Sequence, residues 1–255
     1  MILPLITRTN FRGGLTIPTS SVKPVAVWVA EGAGSPDQKK PTGEINFKYH
    51  KLRCAVAVTL EVATMALDIF ESRLVDNVVE AMVIALEHAI INGTGIGQPR
   101  GILIETPASG QLIDVQTPSY QDLLDAESAL PTAYESNARW CMTKTTFYRY
   151  FGLVDANGQP IGRMDHGITG RAERVLVGRP VVICDYLPSF TNNLGAGTPF
   201  AFLFNFRDYI LNSNLGMNFK RYTENSTDDE VSRAVMLTDG QVVDKNSLVV
   251  LNKRN

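Results

Sequence analysis

The stretch EHAIINGTGIGQPRGIL, residues 87–103, passes from a helical pattern into four glycines and a proline. Its reading decides the fold, because glycines that cradle a phosphate and glycines that turn a chain belong to different architectures. A P-loop ends in Gly-Lys-Ser or Gly-Lys-Thr, with the lysine reaching the phosphates. Here Gly97 is followed by Gln98 and Pro99, and the nearest cation is Arg100. A dinucleotide fingerprint needs a third glycine three residues past the second, and Gln98 or Arg100 stands there instead. Both motifs also place their glycines after a strand and before a helix, where N–H groups face the anion. These follow a helix and meet its carbonyl end, which repels anions. The stretch is read as a structural loop, with Gly93 capping the helix and Gly95, Gly97, Pro99 and Gly101 turning the chain.

Upstream of Gly93, Leu74, Val75, Val78, Met82, Leu86 and Ile90 recur at helical spacing, and Val79, Val83 and Ala89 widen the stripe. This predicts a helix from Ile69 to Ile91, about 33 Å long, with Asp68 capping its start. Before it, SVKPVAVWVAEG (21–32) alternates at Val25, Val27 and Val29. EINFKYHKLRCAVAVTLE (44–61) alternates through Ile45, Phe47, Tyr49 and then Leu52, Cys54, Val56 and Val58. Both read as strands. Between them, AGSPDQKKPTG holds no apolar residue larger than alanine. The pair predicts a protruding β-hairpin, with a reach of about 30 Å for ten residues. Such a hairpin needs something to lie on. Residues 1–20 carry prolines, glycines and little periodicity, and are read as an extended arm.

Downstream, Ser119 and Asp122 have capping-box spacing and open a helix that stops at Pro131. ARWCMTK (138–144) reads as a strand and TTFYRYFGLVD (145–155) as a short helix. RVLVGRPVVICDYLP (174–188) reads as two short strands around Gly178 and Pro180. PFAFLFNFRDYILNSN (199–214), MNFKRYTE (217–224), VSRAVMLTD (231–239) and SLVVLNKR (247–254) complete a strand-rich second half. Mixed helix and strand without a sustained βαβ rhythm argues for an α+β fold.

The inventory for chemistry is poor. His50, His88 and His166 lie too far apart for a local metal motif, and no Gly-x-Ser-x-Gly elbow or Cys-x-x-Cys pair is present. Cys54, Cys141 and Cys184 suit buried thiols in a reducing cytoplasm better than a disulfide framework. TENSTDDE (223–230) lacks the spacing of a calcium loop and reads as a solvated turn. No catalytic residue, cofactor or metal site is expected. A net charge of −2 excludes a polycation built to coat nucleic acid. No apolar run approaches a membrane span, and no signal peptide is expected.

Taken in order, the segments resemble the major capsid proteins of tailed bacteriophages, whose shell fold is shared with bacterial encapsulins. The matching stretches are AVWVAEG before a polar loop, FKYHKLRCAVAVTLE, and the long helix ending EHAIINGTGIGQPRGIL. They continue with ARWCMTKTTFYRYFGLVDANGQPI, VLVGRPVVICDYLP, FRDYILNSNLGMNFKRY and MLTDGQVVDKNSLVVL. Coverage runs from about residue 15 to the end.

The resemblance implies an N-terminal arm (1–21) and an extended β-hairpin loop (22–57) lying over a neighbouring subunit. It implies a peripheral domain (58–117) built on the long helix as a spine, and an axial domain (118–210). Peripheral-domain strands (211–244) and a last strand (245–255) returning to the axial domain would follow. Val27, Trp28, Val29, Glu31, Asp37, Lys39, Lys40, Phe47 and Tyr49 are the expected intersubunit contacts of the loop. Gly93, Gly95, Gly97, Pro99 and Gly101 form a structural loop after the spine. The implied function is self-assembly as pentamers and hexamers into an icosahedral head around double-stranded DNA, made in the bacterial host cytoplasm. Portal and other head proteins at the vertices, scaffolding, a maturation protease or a decoration protein are the implied partners, with non-specific contact to packaged DNA. An encapsulin shell holding cargo enzyme is the alternative. Some members weld neighbours by a lysine–asparagine bond helped by a glutamate. Lys39 and Lys40 sit at the right loop, but TDDEVSRAVMLTDG offers no matching asparagine–glutamate pair, so no crosslink is expected.

Overall fold

The structure is a computed structural model that describes residues 2–12, 16–20, 28, 42–58, 68–154, 159, 165–166, 172–227 and 229–254. Strands Thr7–Thr9 (β1), Thr16–Ser20 (β2), Thr42–Asn46 (β3) and His50–Val58 (β4) precede a 25-residue helix, Asp68–Asn92 (α1). Leu112–Val115 (β5), Tyr120–Ala129 (α2), Ala138–Met142 (β6) and Lys144–Phe151 (α3) follow. Next come Asp165–His166 (β7), Ala172–Glu173 (β8), Val175–Leu176 (β9) and Arg179–Ile183 (β10). Pro199–Asn205 (β11), Tyr209–Thr223 (β12), Glu230–Val242 (β13) and Val249–Lys253 (β14) complete the chain.

Two sheets organise these elements. One has the order β5-β14-β11-β6-β10-β9, the other β1-β12-β13-β4; β2 with β3 and β7 with β8 form separate two-stranded pairs. The fold is α+β, as the missing βαβ rhythm predicts. In the larger sheet β11 is buried on both faces. Ala201 and Leu203 face a core with Trp140, Phe147, Phe190 and the α2 residues Leu123 and Ala126. Phe202 and Phe204 face the other way, into a core shared with Leu86, Ile90 and Ile91 of α1. Ser119 and Asp122 close the expected capping box at the start of α2, with Ser119 N–H donating to Asp122 Oδ2 at 2.7 Å. Type and position of this helix are therefore written locally.

α1 spans both sheets. Its Val78 and Met82 pack on Leu52, Cys54, Val56, Ala234 and Met236 of the smaller sheet, and its last turns enter the core of the larger one. The stripe is narrower than its letters suggest: Val79 remains exposed, because the sheet meets a single face of the helix. The final strand lies between β5 and β11, so the end of the chain returns to the larger sheet, where β5 pairs parallel to it.

Two expectations are corrected. First, 44–61 is not one strand. β3 pairs with β2 and β4 pairs with β13, so the described ribbon joins 16–20 to 42–46. The 21–32 strand lies outside the described residues apart from Trp28. Second, residues 209–223 form one strand where two were read; bulges between Ser213 and Asn218 keep the pairing with β13. The expected extended arm is docked on the body. Ile2 and Ile6 are buried, and β1 runs parallel to β12.

A carboxylate explains how the start of the chain is held. Glu87 of α1 is buried and accepts the Ile2 N–H at 2.7 Å and the Leu3 N–H at 3.3 Å; the Tyr186 hydroxyl donates to it at 3.4 Å. Burial and the neighbouring Glu87 push the Tyr186 hydroxyl above its ordinary value. Leaving the buried Ile2 amide without an acceptor costs about 1–3 kcal/mol. Glu87→Ala is expected to lower subunit stability by about that much. Urea denaturation of dissociated subunits measures it, and an unchanged midpoint would remove the anchoring role.

Candidate assembly interface

The ribbon β2–β3 runs from Thr16 opposite Asn46 to Ser20 opposite Thr42, and the Thr16 hydroxyl donates to Asn46 Oδ1 at 2.6 Å. Its root is clamped on β13. Lys48 N–H donates to Asp239 Oδ2 at 2.6 Å, and Gln241 Nε2 donates to the Asn46 carbonyl at 3.1 Å. Gly240 N–H also donates to Asp239, at 2.8 Å, and His50 Nε2 stands 3.6 Å from the same carboxylate. Burial raises the Asp239 carboxyl above the usual carboxylate range, against the opposing pull of the Lys48 and Gly240 amides. Phe47 closes the root at 4% exposure.

Phe47 is therefore a correction among the expected contact residues: its side chain is spent inside its own subunit. Tyr49 is 42% exposed and Trp28 fully exposed, so both are available to a partner. Val27, Val29, Glu31, Asp37, Lys39 and Lys40 lie outside the described residues. The break between β3 and β4 did leave a signal. The apolar positions change parity from Ile45, Phe47 and Tyr49 to Leu52, Cys54 and Val56, and a strand cannot change faces without a kink or bulge. Asp239, Gln241 and Glu87 left none, because each is an ordinary polar residue until the fold brings it a buried amide or carbonyl.

The glycine loop is the second part of the site. Gly93 N–H continues the helix to the Ala89 carbonyl at 2.8 Å, and Gly101 N–H donates to Gly93 O at 2.8 Å. Thr94 and Arg100 bridge antiparallel between them. Gly95 and Gly97 have φ of 77° and 71°, the left-handed region that glycine favours. Gly93 is needed for a different reason than a left-handed cap. A Cβ there would lie 2.1 Å from the Pro99 carbonyl oxygen; at Gly101 it would lie 2.5 Å from Gly93 N. The loop then docks on the smaller sheet: Arg100 N–H donates to Gly240 O at 2.8 Å, and the Tyr209 hydroxyl donates to Arg100 O at 3.0 Å. Asn92 Nδ2 donates to Tyr186 O at 2.7 Å, tying the same turn to the segment after β10. The Arg100 guanidinium pairs with Glu105, and Gly93 and Gly101 back onto each other. Geometry of this kind joins elements.

Among the described residues no group of three or more His, Cys, Asp or Glu side chains is gathered as a metal site, and no helix is long and apolar enough to cross a membrane. Cys141 and Cys184 are buried, Cys54 is half-buried, and all three are free.

The comparisons with known proteins follow the same lines. The model of the phage capsid family matches residues 1–253. Among solved structures, the capsid of an empty GTA particle superposes with a TM-score of 0.84 at 16% identity, covering 100% of this chain and 89% of that one. The chain from Gordonia phage Cozz superposes at 0.73 and 14% identity, with 100% and 86% covered. The holo-SrpI encapsulin complex from Synechococcus elongatus superposes at 0.70 and 15% identity, with 100% and 87% covered. No curated protein matches. Two sheets bridged by one long helix and its docked glycine loop, with a family match spanning 1–253, make this chain a member of the phage capsid family.

Proposed function

We propose that this protein is a major capsid subunit that self-assembles as pentamers and hexamers into the icosahedral head enclosing the double-stranded DNA of a tailed bacteriophage. The family match over residues 1–253 carries the reading. The ribbon rooted on β13, with Trp28 fully exposed, supports it as a feature that only a neighbouring subunit would use. In this reading the smaller sheet with α1 is the peripheral domain and the larger sheet with α2 and α3 the axial domain. The segment between β2 and β3 is the loop that lies over the next subunit. The protein acts as a building block, not as an enzyme. Its partners are further copies of itself, portal and other head proteins at the vertices, scaffolding, protease or decoration proteins during assembly, and packaged DNA.

Negative-stain microscopy of the expressed protein tests this, and closed shells of uniform diameter are the expected result. A monodisperse monomer at high concentration, under every salt condition, would overturn the reading. Shells purified from the source that hold a cargo enzyme and no DNA would reassign it to the encapsulin class.

A further inference from the structure

We propose that the face of the smaller sheet opposite α1 is a docking surface for a second copy of this chain, and that it receives the acidic turn joining β12 to β13. The inference rests on the self-assembly proposed above and names the charged groups that meet. Strand register sets Lys51 and Arg53 of β4 beside Leu237 and Val235 of β13, and Lys220 of β12 beside Arg233. Together with Leu215 and Asn218 they line an open concavity of about 420 Å³ that holds four cations and no carboxylate. α1 covers the other face through Leu52, Cys54, Val56, Ala234 and Met236, so among the described residues this one is left uncovered.

The cations are available. Lys51, Arg53 and Lys220 are exposed, and none has an ion-pair partner among the described residues. Arg233 stacks over the Tyr222 ring at 5.5 Å, with its Nε buried and unpartnered among the described residues. Beyond Arg53 the exposed positions of β4 are Ala55 and Ala57, which leave the surface low enough for another backbone to approach.

Complementary charge lies at the end of the same sheet. Residues 224–230, ENSTDDE, contain four carboxylates and no cation. Glu224 and Glu230 are exposed, and Glu224 N–H donates to the Asp229 carbonyl at 2.9 Å, which keeps the turn tight. Glu230 pairs with Thr223 at the end of the sheet, and Arg53, opposite Val235, lies five residues back along β13, roughly 17 Å of extended strand. The turn therefore cannot reach Lys51 or Arg53 of its own subunit. Each subunit gives its turn to the next and receives one from the previous, a heterologous contact that closes into a ring.

Charge reversal tests the proposal. Arg53→Glu with Lys220→Glu reverses the face, and Glu224→Lys with Glu230→Lys reverses the turn; all four residues are exposed. Like charges set against each other at an interface cost enough to lower association about tenfold or more. Each double variant is expected to lose shells by that factor in sedimentation, and the quadruple variant to recover them. Circular dichroism of dissociated subunits checks the fold, and Arg53→Gln with Lys220→Gln replaces any reversal that unfolds, with a smaller loss expected. Double variants that assemble like the parent, or a quadruple variant no better than the doubles, would overturn the proposal. So would face-reversed shells that close normally but hold less DNA, which would assign the face to phosphates. A parent chain that forms no shells at all would instead sink the proposed function itself.

Discussion

Replacing residues 21–41 with a tight turn is expected to leave a folded subunit that no longer closes stable shells. The cut falls between Ser20 and Thr42, the ends of the ribbon. It spares Phe47, the clamp of Lys48 on Asp239, and all of β4, so neither sheet loses a strand. The removed segment holds Val25, Val27, Trp28 and Val29. Burying side chains of this size against a neighbour contributes about 1.5–3 kcal/mol each. Their loss removes about 6 kcal/mol or more from each contact before ordering costs are subtracted, and every copy in a shell repeats it. Single charges matter far less: Lys39→Ala or Lys40→Ala removes at most an exposed ion pair of about 0–1 kcal/mol and is expected to leave assembly intact. Circular dichroism and sedimentation read the two halves of the expectation separately. Native spectra with intact shells would refute the assembly role, and an unfolded chain would show that the segment belongs to the subunit core.

Gly101→Ala is expected to cost far more than Gly97→Ala, although both add one methyl group to one loop. A Cβ at Gly101 would sit 2.5 Å from Gly93 N and 2.6 Å from the Ile91 carbonyl oxygen, both backbone atoms that no rotamer can move. Relief requires shifting the end of α1, with Ile90, Ile91 and Ile102 fully buried around it. Overpacking of a rigid core costs about 1–3 kcal/mol and occasionally more. Here the expected loss is about 3 kcal/mol, together with the Arg100 and Tyr209 contacts to the smaller sheet. At Gly97 a Cβ would meet nothing within 4 Å, so its cost is only the left-handed backbone, about 1–2 kcal/mol. Urea midpoints of dissociated subunits compare the two. Equal losses would show that φ alone, and not the close approach of the two turns, makes the glycines necessary.

Where a signal is carried by neighbours in the chain, reading the letters was enough. α1 was expected over 69–91 and spans Asp68–Asn92, because helical periodicity and a following glycine act within a few residues. The capping box at Ser119 and the α+β class are of the same kind. The whole order of segments also carried the family resemblance, although each segment alone is weak.

Pairing is different, since a strand's alternation says which face it buries and nothing about which strand lies beside it. Residues 44–61 alternate well, yet Thr42–Asn46 joins β2 while His50–Val58 joins β13, some 180 residues further on. For that reason the partner of Thr42–Asn46 was missed, and Phe47 passed from expected contact to buried root. Composition and periodicity by themselves determined that this chain forms a long helix, a glycine turn after it, and a strand-rich body. Only the tertiary structure decided that Glu87 holds the first residues, that Asp239 clamps the ribbon, and that four cations share one sheet face. Those are long-range desolvation and register effects, created when the two sheets meet across α1 and absent from any local stretch of the chain.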